Sequence, residues 1–127
     1  MAKLYCQVVG IVLLLLGVLG LVGFGIAGFL SIDEPAEIAL HFITGALAAY
    51  AGFSSGDYGR LALLYARVFG IIYLLLAIVG FIFQGQDILS GALRIHLDLG
   101  CNLAHLLLGV LGIAVGYVVR PSPAAMA

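Results

Sequence analysis

The sequence predicts an all-α integral membrane fold. It consists of four transmembrane helices, formed by two parallel-related two-helix hairpins, with a short interfacial helix before the last. Three observations carry this. First, 65% of the residues are hydrophobic and 9% charged, whereas soluble domains carry roughly 25% charged residues. A small soluble domain leaves much of its surface in water and cannot hide so much apolar area. Second, between Lys3 and Asp33 the only ionisable side chains are Tyr5 and Cys6, a run longer than the ~20 residues needed to cross a bilayer core. Third, the chain repeats itself. "YCQVVGIVLLLLGVLG" at 5–20 aligns with "YARVFGIIYLLLAIVG" at 65–80, and "LHFITGALAAYAGF" at 40–53 with "AHLLLGVLGIAVGY" at 104–117.

The first alignment has an offset of 60 and pairs Tyr5/Tyr65, Val8/Val68, Gly10/Gly70, Gly20/Gly80 and Gly25/Gly85. The second has an offset of 64 and pairs His41/His105, Gly45/Gly109, Leu47/Leu111 and Gly52/Gly116. Leucines match cheaply in apolar sequence; glycine, tyrosine and histidine do not. The whole chain, 1–127, is therefore read as a single transmembrane domain. Repeat 1 covers about 5–53 and repeat 2 about 65–117. A hairpin returns the chain to its starting side, so the copies are expected to be parallel, about an axis along the membrane normal. Each supplies the packing partner that the other lacks in a four-helix bundle.

Helix 1 is expected at 5–30. Its apolar run is too long for the 7–15-residue core of a signal peptide, and its near-copy is internal. Helix 2 follows at 36–53, after Pro35, and "SSGDYGR" makes a turn. Helix 3 is expected at 61–84. In "GQDILSGALRIHLDLG" (85–100), Ile88, Ala92, Ile95 and Leu99 have helical spacing, which suggests an amphipathic helix in the interface or an ordinary connector. His96 in this segment is expected to be solvated. Helix 4 runs 101–119, and the tail 120–127 is expected to be disordered. Glycines recur every three or four residues as Gly17, Gly20 and Gly23, and as Gly109, Gly112 and Gly116; Gly45 pairs with Ala49. Small residues of this kind let helices approach closely in lipid.

Basic residues set the expected orientation. With both termini cytoplasmic, Lys3, Arg60, Arg67 and Arg120 lie inside and only Arg94 outside. The expected location is a bacterial inner, intracytoplasmic or thylakoid membrane. The net charge of −1 offers no surface for nucleic acid. Cys6 and Cys101 fall at opposite membrane faces, too far apart for a disulfide.

His41 and His105 are the candidate site. Glu37 stands four residues before His41; Asn102 and Asp98 stand three and seven before His105. Such neighbours can fix an imidazole tautomer. Three readings stand. The histidines bond structurally between helices, or one or both ligate chlorophyll or haem b, or with Glu37 they form a transport or proton site. Diagonal helices ~11–14 Å apart would admit a tetrapyrrole ring if Gly45 and Gly109 clear the space. Catalytic signatures are lacking: "GFGIAG" (23–28) follows no strand, and the serines of the loops have no base nearby in sequence. No metal site is expected, and no enzymatic activity.

The double hairpin, "NLAHLLLGVLGIAVG" and the Tyr–x–x–x–x–Gly openings of helices 1 and 3 resemble a family of small bacterial four-helix membrane proteins known only as a domain of unknown function. The resemblance spans about 5–118 and rests on H-x-x-x-G in helices 2 and 4; the first copy lacks the Asn. It implies the fold and no activity. The expected role is a non-catalytic accessory or assembly subunit of a larger membrane complex, respiratory or photosynthetic. The expected partners are the lipid bilayer and such a complex or a second copy.

Overall fold

The structure, a computed structural model, describes residues 1–26, 29–54, 59–84 and 86–119; the side chains of Ile26 and Ala92 are not described. The expected tail disorder, Arg120, Gly28, Ser55 and the Gly85 member of the glycine match lie outside the described residues.

Helix α1 covers Ala2–Leu21, ending nine residues before the expected position, and the reason is local. Gly23 adopts φ +76°, a left-handed conformation that glycine enters without steric penalty. Its N–H donates to the Gly20 carbonyl at 3.1 Å, and the Phe24 N–H donates to the Leu19 carbonyl at 2.9 Å. These two bonds form a Schellman turn. Gly23 therefore ends the helix and does not continue its glycine row. Strands β1 (Gly25–Ile26) and β2 (Leu30–Ser31) then pair antiparallel.

Helix α2 spans Pro35–Phe53, with proline at the start, where its missing N–H costs nothing. Helix α3 spans Arg60–Ile82. The interfacial helix expected at 85–100 is not formed. Strands β3 (Asp87–Ile88) and β4 (Ile95–His96) make an antiparallel hairpin around a 3₁₀ turn at Gly91–Leu93. Leu89 at φ +66° and Gly91 at φ +63° break the helical path, so the apolar spacing read as a helix face belongs to a hairpin. Helix α4 covers Leu99–Ile113 and runs into a π-helical turn at Ala114–Val118, closed by Val119 N–H donating to the Ala114 carbonyl at 2.9 Å.

The four helical segments are long and apolar enough to cross a membrane. The α1–α2 pair and the α3–α4 pair make the closest contacts in the chain, and glycine sets that closeness. A Cβ added to Gly10 would lie 2.6 Å from the Ala49 nitrogen; one on Gly70 would lie 2.8 Å from the Ile113 nitrogen. At Gly45 it would lie 2.9 Å from the Leu14 nitrogen, and at Gly109 2.6 Å from the Leu74 nitrogen. Each pair of contacts falls on aligned positions, at offset 60 on α1 and α3 and 64 on α2 and α4. Helix backbones thus meet directly, the arrangement small residues permit in lipid.

Hydrogen bonds recur in the same way. Gln7 Nε2 donates to the Gly52 carbonyl at 2.9 Å. At the aligned positions, Arg67 Nε donates to the Gly116 carbonyl at 2.7 Å, and its guanidinium lies over the Tyr117 ring. Between hairpins, the Tyr5 hydroxyl donates to the Leu108 carbonyl at 2.7 Å, and the Tyr65 hydroxyl to the Thr44 carbonyl at 3.1 Å. Tyr5 aligns with Tyr65 and Thr44 with Leu108, so the two bonds are reciprocal. The core around them holds Cys6, Val9, Leu13, Ala48, Ala62, Ala66 and Tyr73.

Candidate functional site

Polar groups gather in two places: the middle of the bundle and the end where the two small hairpins sit, called the cap here. The middle is an aromatic ladder on α3. Tyr65 stacks on Phe69 with centroids 4.3 Å apart, Phe69 meets Tyr73 at 6.0 Å, and Tyr73 lies nearly parallel to the His105 ring at 6.1 Å. Spacing of four residues along α3 puts these rings on one face. The Tyr65 and Tyr73 hydroxyls are 2.8 Å apart. The ladder was missed in sequence because Tyr73 aligns with Leu13 and so fell outside the matched residues.

His41 and His105 lie close enough to interact electrostatically. The Nδ1 of His41 is 2.6 Å from the Glu37 carbonyl oxygen; it must carry the proton, which leaves Nε2 as the acceptor of a neutral ring. Glu37 therefore acts on His41 through its backbone and not through its carboxylate. The Nδ1 of His105 is buried with no hydrogen-bond partner among the described residues. The expected orienting groups bond elsewhere. Asp98 turns to the cap, while Asn102, fully buried, points Nδ2 toward the Leu97 carbonyl at 3.5 Å and sets its Oδ1 against Gly80. A Cβ on Gly45 or Gly109 would meet the backbone of α1 at Leu14 or of α3 at Leu74, so both glycines sit at helix contacts.

The cap is built on Asp98, which precedes α4. Its Oδ2 accepts from the Ser31 N–H at 2.9 Å and from the Ser31 hydroxyl at 2.6 Å, joining the first loop to the second. Its Oδ1 lies 2.7 Å from His96 Nε2. The other ring nitrogen, Nδ1, lies 2.8 Å from Asp87 Oδ1. The His96 backbone N–H donates to Glu37 Oε1 at 2.8 Å, while Glu37 Oε2 is buried with no hydrogen-bond partner among the described residues. Arg94 Nε donates to Glu34 Oε1 at 2.8 Å, and the Gly100 N–H donates to the Phe29 carbonyl at 2.7 Å. His96 is thus a bridging residue, contrary to the solvated side chain expected. The Asp87 carboxylate bonded to Nδ1, with Asp98 and Glu37 nearby, raises the His96 pKa against a smaller opposing effect of burial.

Cys6 and Cys101 are both free and buried; Cys6 Sγ donates to the Ala62 carbonyl at 3.4 Å. Among the described residues no group of three His, Cys, Asp or Glu side chains could hold a metal ion. No protein-family model, curated relative or solved structure matches the chain.

Proposed function

We propose that the chain is a non-catalytic integral membrane protein, an accessory or assembly subunit of a larger complex in a bacterial membrane. The observation that carries this reading is where the polarity lies. The Tyr5 and Tyr65 hydroxyls and the Gln7 and Arg67 side chains bond backbone carbonyls within or between the hairpins. The carboxylates at the cap bond the other loop. Outward, Ile11, Leu15, Ile43, Leu64, Leu75 and Leu107 are exposed. Apolar surface on this scale is stable only against lipid or protein. The recurrent contacts support two parallel hairpins related by an axis along the membrane normal. Lys3, Arg60 and Arg67 at the end opposite the cap support a cytoplasmic amino terminus.

Purification from native membranes in mild detergent tests the proposal. The expected outcome is recovery with a larger integral membrane partner and an absorption spectrum without a Soret or chlorophyll band. Isolation as a free monomer at native abundance would overturn the accessory role. A pigment band abolished by His41→Ala or His105→Ala, and left intact by His96→Ala, would favour tetrapyrrole ligation instead.

A further inference from the structure

The cap holds a histidine with a carboxylate on each ring nitrogen. Asp87 comes from β3 and lies beside Nδ1 at 2.8 Å; Asp98 comes from the start of α4 and lies beside Nε2 at 2.7 Å. A neutral imidazole carries one N–H and one lone pair. It can donate to only one of these carboxylates and must turn its lone pair on the other. The doubly protonated ring donates to both. Asp98 also binds the backbone and hydroxyl of Ser31 on β2, so the His96–Asp98 contact connects the two hairpins of the cap. The same strand that carries His96 is tied to α2, because the His96 N–H donates to Glu37. Beneath this lie Cys101, whose Sγ is 4.0 Å from the Ser31 carbonyl, and the inward oxygen of Glu37.

We propose that His96 is a pH-operated clasp: protonated, it bridges Asp87 and Asp98 and holds the two hairpins together over the end of the bundle, and deprotonated, it releases one carboxylate and loosens the cap. The titratable groups facing it are Asp87 and Asp98 at the ring and Glu37 at its backbone. Arg94 bridges Glu34 and reaches Asp87 at 3.8 Å, which leaves that part of the cap tied through Glu34 when His96 lets go. Because the carboxylates raise the pKa of His96, the contribution is fully present below the ordinary imidazole value. It is lost as pH rises through the raised one. The cap is therefore closed on the acid side and loosened on the alkaline side.

Amide hydrogen exchange read residue by residue by NMR in detergent micelles tests this. Rates are expressed as protection factors, so that the intrinsic pH dependence of exchange is removed. The reporters are the Ser31 and His96 amides, with amides in the middle of α1 as reference. In the wild type, protection at Ser31 and His96 is expected to fall severalfold between about pH 6 and about pH 9, as the raised His96 pKa is crossed. The α1 reference is expected to stay constant. In His96→Gln, Ser31 protection should be low at both pH values, with the reference amides still protected. Equal protection of the wild-type reporters at the two pH values would overturn the clasp, and so would a His96→Gln protein that keeps the wild-type pH dependence. The wild-type titration decides the matter even if the variant folds poorly.

Discussion

The two hairpins share a framework and differ in what they place inside it. In α1–α2 the glycine seam runs through Gly10, Gly45 and Gly52; in α3–α4 it runs through Gly70, Gly109 and Gly116, at the aligned positions. Gln7 and Arg67 are different residues that perform one task, donation to the carbonyl of an aligned glycine. The interiors diverge. Leu13 in the first hairpin corresponds to Tyr73 in the second, and Ile38 to Asn102. Gly20 packs on Ile32 and Ile38, whereas Gly80 packs on Asn102. Backbone approach is thus fixed by glycines that cannot vary without moving a helix. The side chains beside them can change from apolar to polar while the seam is kept. The second hairpin has used that freedom to set Tyr73 beside His105 and to place an amide, Asn102, against Gly80.

The comparison breaks most severely at a seam glycine. Gly109→Leu would drive a side chain into the Leu74 backbone, which is 2.6 Å from the nearest Cβ position. Overpacking of this kind costs about 1–3 kcal/mol and sometimes more, and here the obstacle is a main chain that cannot turn aside. Thermal unfolding in detergent should show a clear fall in Tm for Gly109→Leu. Val110→Leu, at an exposed neighbour, should stay at the wild-type value. Equal Tm for both variants and wild type would mean that the glycine rows are not the packing seam.

A smaller effect separates the reciprocal tyrosines. Tyr5→Phe removes one bond, to Leu108. Tyr65→Phe removes the bond to Thr44 and also the hydroxyl contact with Tyr73. The expected losses are about 1 kcal/mol for Tyr5→Phe and about 2–3 kcal/mol for Tyr65→Phe. Adding Tyr73→Phe to Tyr65→Phe should cost less than Tyr73→Phe alone, because the bond they share is already lost. Strict additivity in the double-mutant cycle would refute the hydroxyl pair.

The smallest effect tests the most deeply buried difference. Asn102→Ile copies Ile38 into the second hairpin and removes an amide oxygen that has no hydrogen-bond donor among the described residues. Exchanging a poorly satisfied buried amide for an apolar group is expected to be neutral or stabilising, within about 1 kcal/mol. A large drop in Tm would show that Asn102 makes a bond essential to the bundle.

Sequence patterning alone was enough to place four apolar helices and to pick out Gly45, Gly52, Gly109 and Gly116. These features depend on the composition and spacing of residues that act locally or through one neighbouring helix. Even the early end of α1 was legible in principle: Gly23 is followed by a stretch that a left-handed turn can release from the helix, though hydrophobicity masked the signal. The hairpin at 87–96 was hidden for a different reason. Its Ile88 and Ile95 face each other across strands, and over so short a segment the apolar spacing also fits a helix. What only the tertiary structure decided is which polar groups meet. Asp98 lies seven residues from His105 along the chain and yet bonds His96 and Ser31; Glu37 offers His41 its carbonyl and His96 its carboxylate. Hydrogen bonds reach only about 3 Å and depend on direction, so their partners are set by how two hairpins dock, which residue spacing along one chain does not encode.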